Sequence, residues 1–316
     1  MYSRWFNIAV LLLWLSTMGW LLVEKILPPL LVGDPPSYRT ILDAQKNEPP
    51  AGWQMYFNDR QLGWALNLVS RLPNDVTEIH SRVHFNEIPL RSLAHGWART
   101  LLRLMDIPPI DLRMDADSTA VIDPLGRLMR FESALRVDGL EDVIRVLGTI
   151  DGNRLKLEVR AGGLPDTMET FLPADAVVVD AFSPQSQLPG LRAGQTWTVP
   201  VYSPLRPSGS PLEILYATVE GTDPIIWDGR MEHAWLVVYR SDPGVGLGSN
   251  DSPRGRLWVR RDGTVLKQQV MIIDSTMTFV RLTDKQAAKL AAEVGLFYET
   301  VDGGRWKVDD HEMKEE

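Results

Sequence analysis

Residues Val76–Phe85 read VTEIHSRVHF. Thr77, Ile79, Ser81, Val83 and Phe85 occupy one set of alternate positions, and Val76, Glu78, His80, Arg82 and His84 the other. A period of two marks a strand half buried in a sheet, because successive side chains leave opposite faces. The first set is expected to face a core and the second a polar surface.

Outward from this stretch the same alternation recurs in short segments divided by turn residues. Trp53–Phe57 and Gln61–Ser70 flank Asn58-Asp59, a hairpin signal. Leu112–Ile122 and Arg127–Val137 flank Asp123-Pro124-Leu125-Gly126, with proline at the second turn position. Asp142–Ile150 and Arg154–Arg160 flank Asp151-Gly152-Asn153, and Arg256–Arg260 and Thr264–Ile272 flank Arg261-Asp262-Gly263. Thr196–Tyr202, Leu212–Glu220 and His233–Arg240 also read as strands, and Ser275–Arg281 is expected to close the sheet. Helical spacing is rarer. Leu93, Trp97, Leu101 and Leu104 form one face over Pro89–Met105, and Thr283 caps an alanine-rich helix to Val294. The fold class is therefore mainly β: a strongly curved antiparallel sheet or half-barrel packed on one or two helices. A sheet this large must curl, split or cover its edges.

Before the sheet stands WFNIAVLLLWLSTMGWLLV, Trp5–Val23, without a charge. As a helix it spans roughly 28 Å, close to the hydrocarbon thickness of a bilayer. Arg4 and the amino terminus precede it, and Glu24-Lys25 follow and cancel, so the N-terminus is expected in the cytoplasm. A cleaved signal peptide fits less well, because the run exceeds a usual apolar region and no A-x-A-like site follows. The expected organisation is a cytoplasmic N-terminus 1–4, a transmembrane signal anchor 5–23 and a proline-rich spacer 24–50. An antiparallel β domain 51–282 and a C-terminal helix with a charged tail 283–316 complete it. The spacer holds paired prolines that favour extended chain, with one short helical turn expected at Tyr38–Lys46.

Composition narrows the chemistry. The 316 residues carry 33 Lys+Arg against 41 Asp+Glu, a net charge of −8, which argues against nucleic acid as a partner. With no cysteine there is no thiolate zinc site, iron–sulfur cluster or cysteine nucleophile. His80 and His84 lie about 13 Å apart along a strand, too far to share one ion. The nucleophile elbow G-x-S-x-G does not occur. Gly244-Val245-Gly246-Leu247-Gly248 lacks the strand and helix that a phosphate-binding loop needs. Asp111, Asp115 and Asp117 alternate along one strand and read as charges guarding a sheet edge. Trp197, Tyr202, Tyr216, Trp227, Trp235 and Trp258 are the ligand candidates: aromatics in sheet segments that line a core, an apolar-ligand groove or a protein interface. No catalytic residue, metal or cofactor is assigned.

Gln54–Trp64 (QMYFNDRQLGW), Leu191–Pro204 (LRAGQTWTVPVYSP), Leu257–Lys267 (LWVRRDGTVLK) and Phe279–Arg281 together resemble an uncharacterised bacterial envelope domain that often precedes transglutaminase-like domains. The likeness covers about residues 52–282. It implies a half-barrel sheet similar to lipoprotein-carrier folds, and offers no catalytic residues to carry over. No transglutaminase nucleophile exists in a chain without cysteine. The expectation is a non-catalytic protein of the bacterial inner membrane, its β domain in the periplasm or outside. There it would bind an envelope protein partner or an apolar ligand near the membrane. A carrier or sensor of lipid-like molecules and a carboxylate-dependent hydrolase are the alternatives.

Overall fold

The computed structural model describes residues 4–26, 36, 38–45, 48–88, 112–138, 144–161, 164–171, 177–178, 184–202, 212–241, 253–272, 275–295, 298–301 and 305–308. One half of a 15-stranded sheet runs outward in chain order: β1 (Ala51–Phe57), β2 (Arg60–Arg71), β3 (Thr77–Ile88), β4 (Leu112–Ile122), β5 (Leu128–Val137), β6 (Ile144–Asp151), β7 (Arg154–Ala161) and β8 (Leu164–Phe171). The other half comprises β9 (Val177–Val178), β10 (Thr196–Tyr202), β11 (Leu212–Trp227), β12 (Arg230–Ser241), β13 (Gly255–Val259), β14 (Val265–Ile272) and β15 (Ser275–Arg281). The two halves join where β15 pairs with β1, in register Trp53↔Arg281 and Met55↔Phe279. Ser275–Arg281 thus sits at the centre of the sheet, which stays open with β8 and β9 at its ends. All neighbours are antiparallel except β9 and β10. A separate hairpin pairs β16 (Tyr298–Val301) with β17 (Arg305–Val308).

The turns stand where their residues require. Asn58 and Asp59 both take positive φ (46° and 66°), as do Asp228 and Gly229 (47° and 72°), the backbone that matches strand twist in a two-residue hairpin. The Asp228-Gly229 turn joins β11 to β12 and lengthens both strands beyond the Leu212–Glu220 and His233–Arg240 expected. Close neighbours select two other glycines. A Cβ on Gly63 would collide with the His84 carbonyl, and one on Gly148 with the Phe131 ring. Glycine lets β2 and β6 close on their neighbours there.

Alternation sorts the two faces as expected on β3, where Thr77, Ser81, Val83 and Phe85 are buried. Trp53, Met55, Ala65, Val83, Phe85, Val237, Leu257 and Phe279 share that face and form one core drawn from both halves of the sheet. Phe131, Leu155 and Leu157 make a smaller cluster further along it. The segment 184–191 crosses the concave face. The Asn67 side chain donates to the Pro184 carbonyl at 2.7 Å, Leu188 N donates to Gly263 O at 2.7 Å, and the Leu188 side chain is buried in the core.

Two helices pack on this body. In α2 (Tyr38–Gln45) Leu42 is buried and Ile41 joins the core edge. In α3 (Asp284–Glu293) Ala287 and Ala291 are buried, and Gly52 leaves room for Ala287. Thr283 and Gln286 form a reciprocal capping box at its start, satisfying amides that a helix end otherwise leaves open. The remaining helix, α1 (Arg4–Leu21), heads an apolar window Trp5–Glu24 of 20 residues, none of it buried, long enough to cross a membrane. Its Thr17 hydroxyl donates back to the Leu13 carbonyl at 2.8 Å, so that polar atom is already satisfied. The helix expected over Pro89–Met105 lies outside the described residues, as do Asp111 and the Gly244–Gly248 run.

Candidate functional site

The register divides the six aromatic candidates between the two sheet faces. Trp197 and Trp235 pack against the core, and Trp197 meets Tyr239 edge-on at 6.4 Å. Burial holds the Tyr239 phenol well above the usual tyrosine pKa. Tyr216, Trp227 and Trp258 lie on the opposite face, since Ala217, Val237 and Leu257 point inward. Trp258 is buried there, donates Nε1 to Asp223 at 2.7 Å and carries the Lys267 ammonium 4.7 Å over its ring. Trp227 donates Nε1 to the Arg281 carbonyl at 2.8 Å and receives the Arg260 guanidinium at 5.8 Å. Tyr202 pairs through its backbone with Leu212; its side chain lies outside the described residues. These contacts tie strands together, each indole N–H finding a carboxylate or a carbonyl.

On the outer face of β3, β4 and β5 stands a polar ladder. His84 Nδ1 lies 2.8 Å from Asp115, and its ring stacks on Trp64 at 5.6 Å. His80 Nδ1 lies 3.0 Å from Thr119 Oγ1, and its Nε2 3.2 Å from Glu78. Between them Arg82 donates Nε to Asp117 at 2.7 Å and Nη1 to the Val294 carbonyl beyond α3 at 3.0 Å. Arg136 takes the other Asp117 oxygen at 3.1 Å. The hydrogen bond from His80 holds the Glu78 carboxyl below its usual range, outweighing the opposing effect of burial. The two histidines therefore each keep their own partners rather than lying on an open, solvated face. The expectation that Asp115 and Asp117 guard an edge is corrected. β4 is interior, flanked by β3 and β5, and both carboxylates sit opposite cationic or imidazole groups across strand pairs. Alternation identifies the face of a strand but carries no information about its neighbours. A crevice of about 60 Å³ opens here beside Leu66, Leu68, His80, Arg82, Asp117 and Thr119.

A second polar node, which sequence reading misses, lies on the concave face. Arg281 is 6% exposed, donates Nη1 to the Ser186 carbonyl at 3.1 Å and stands 5.7 Å over the Trp53 ring. Burial lowers the pKa of its guanidinium, with Asp284 and Glu48 acting through space against that. Gln45 of α2 donates to the Ser186 hydroxyl at 2.8 Å. Trp53 Nε1 is buried without a partner among the described residues. The adjoining crevice is about 10 Å³, room for about one water molecule. Such a node fastens α2, segment 184–191 and the central strands together.

No protein-family model matches the chain, and no curated protein matches it. The likeness to the region ahead of transglutaminase-like domains therefore stays one of motifs. Among solved structures the chain is similar to the β-barrel-like protein of domain of unknown function DUF1849 from Brucella abortus. That match has 10% identity and a TM-score of 0.43, covering 75% of this chain and 97% of that one. It is also similar to a DUF1089 family protein from Pseudomonas aeruginosa, at 16% identity and a TM-score of 0.32, covering 64% of this chain and 87% of that one.

Proposed function

We propose that this chain is a membrane-anchored, non-catalytic binding module of a bacterial envelope. In this reading α1 crosses the inner membrane once, and the β body stands in the periplasm or outside, binding a partner protein close to the bilayer. The observation that carries it is the pairing of an unburied 20-residue apolar window with a body whose two sheet halves share one core. Sites for small organic ligands enclose some hundreds of Å³. The crevices beside His80 and beside Arg281, about 60 and 10 Å³, suit a few waters rather than an acyl chain. A carboxylate-dependent hydrolase needs an acid held protonated near neutral pH. Glu78 is shifted the other way, and Asp115 and Asp117 are engaged by His84, Arg82 and Arg136.

Because the chain has no cysteine, single introduced thiols test the arrangement cleanly. In spheroplasts, Asp59→Cys at the exposed β1–β2 turn is expected to react with a membrane-impermeant maleimide. Ser3→Cys is expected to react only after lysis. The reverse pattern would remove the proposed topology. Native mass spectrometry of detergent-extracted protein then separates the roles: a stoichiometric protein supports the reading, and an acyl lipid retained by the body overturns it.

A further inference from the structure

The antiparallel order places every turn at one of two ends of the sheet. The chain arrives from α1 at the end where β1 begins, at Ala51. The connections β2–β3, β4–β5 and β11–β12 and the last residue of β8 lie at that same end, following the registers Arg71↔Thr77, Ile122↔Leu128, Arg154↔Phe171 and Trp227↔Arg230. Trp227, by reaching the Arg281 carbonyl, holds the β11–β12 tip against the end of β15. Large apolar side chains are exposed on each of these: Leu72, Leu125, Met129, Phe171, Ile226 and Met231. Phe171 is 64% exposed, and Ile226 and Met231, a cross-strand pair, are 78% and 69% exposed. Apolar residues scattered singly over a surface need no explanation; here, among the described residues, they stand together on three turns and one strand end, at the end of the sheet where the chain enters from α1.

We propose that this rim is a membrane-contact surface, its apolar tips seated in the headgroup region of the bilayer that α1 spans. The inference rests on α1 lying in that bilayer. Three features of the chain fit a lipid surface. Residues 27–37 can bridge at most about 40 Å between the α1 segment and α2. Helix α2 is itself fixed to the body through Leu42 and through Gln45 on Ser186, beside Arg281, so this end cannot stray far from the bilayer. Three turns at this end hold a local ion pair: Arg71 with Asp75, Asp123 with Arg127 at 2.8 Å and, between β13 and β14, Arg260 with Asp262 at 2.7 Å. That pairing lowers the cost of leaving bulk water. Apolar residues at the tips and neutralised turns behind them are what an interfacial contact asks for.

Full-length single-cysteine variants carrying an environment-sensitive fluorophore test this in vesicles of phosphatidylethanolamine and phosphatidylglycerol doped with lipids brominated near the headgroup. Labels at Leu125→Cys, Phe171→Cys and Ile226→Cys are expected to be quenched by the brominated lipid and shielded from aqueous iodide. A label at Asp59→Cys, at the opposite end, is expected to show the converse. Adding Met231→Glu is expected to reduce lipid quenching at position 226. A label at Leu12→Cys within α1 reports the anchor independently. If position 12 is quenched while 125, 171 and 226 behave like 59, the rim does not touch lipid; that outcome includes a rim that a partner protein covers in the cell. If position 12 is also unquenched, the anchored reading falls, and this inference falls with it.

Discussion

Arg281 sets two effects against each other at one residue. Its bond to the Ser186 carbonyl is charge-assisted, worth about 1.5–3 kcal/mol, but that carbonyl also accepts from Val265 N at 3.1 Å. Taking a cation out of water costs several kcal/mol unless a carboxylate answers it directly, and the hydrogen bond here goes to a carbonyl. Desolvation therefore wins. Arg281→Met, which keeps an unbranched apolar stem over Trp53, is expected to unfold within about 1 kcal/mol of the parent protein or above it. Arg281→Ala, which leaves a void, is expected to lose about 2–3 kcal/mol. Thermal unfolding in detergent, followed by tryptophan fluorescence, separates them; a Met variant weakened as much as the Ala variant would show that the bond governs. Glu78 makes a pH-dependent contribution of definite sign. Its folded pKa lies below the ordinary 4.5, so its stabilisation is present above that value and drains away as pH falls through the lower, folded one. Glu78→Gln is expected to flatten the acid limb of the stability profile below about pH 4.5, and an unchanged limb would assign acid lability to other carboxylates. Neither role was legible beforehand. Glu78 was visible only as a polar-face residue, and Arg281 meets Gln45, Trp53 and Ser186 across stretches of chain that no local pattern connects.

Among the elements, α3 was legible because its signals are local. Thr283, Asp284 and the alanines announce a capped helix within a dozen residues, and the helix stands at Asp284–Glu293. Thr283→Ala, which removes the hydroxyl half of the capping box and leaves the backbone N–H of residue 283 on Gln286, is expected to cost about 1 kcal/mol. It is also expected to raise amide exchange in the first turn of α3 while leaving β1 protected. Equal loss of protection in both would mean that α3 and the sheet unfold as one unit through the Gly52–Ala287 contact. Strands with strong turn residues, such as the pair around Asp123–Gly126, were legible for the same reason. There Leu125 N and Arg127 N both donate to the Asp123 carboxylate, at 2.9 and 2.8 Å. The β11–β12 hairpin carries an equally readable Asp228-Gly229 signal, yet the alternation reads as strands that stop at Glu220 and resume at His233. The bulge between Val219 and Gly221 shifts the alternation by one residue there and breaks the period on which the reading relied.

At the scale of the molecule, order in the sequence and order in the sheet part company at one place. Every other antiparallel neighbour is a chain neighbour, but β1 pairs with β15, joining residues 51–57 to residues 275–281. Period-two patterning identifies strands and faces, hence a mainly β body with one apolar side. It does not report which strands meet across such a distance, so Ser275–Arg281 read as a final strand and stands instead at the centre. The consequence is energetic as well as topological. Met55, Phe279, Val83 and Leu257 belong to one core, so neither half of the sheet completes its buried face without the other, and the pairing that joins them must await almost the whole chain. Closing so long a loop makes folding slow and leaves the half-sheets exposed in the meantime. A chain ended after Asp274, lacking β15 and α3, is therefore expected to be degraded rapidly in limited proteolysis throughout β1–β5 as well as β10–β14, and to lose the sheet signal in circular dichroism. A chain ended after Val308 is expected to match the full-length protein in both measurements. Were β1–β5 to stay resistant in the shorter chain, the N-terminal half would be a folding unit of its own, and the β1–β15 seam would be a docking surface between two domains rather than the centre of one.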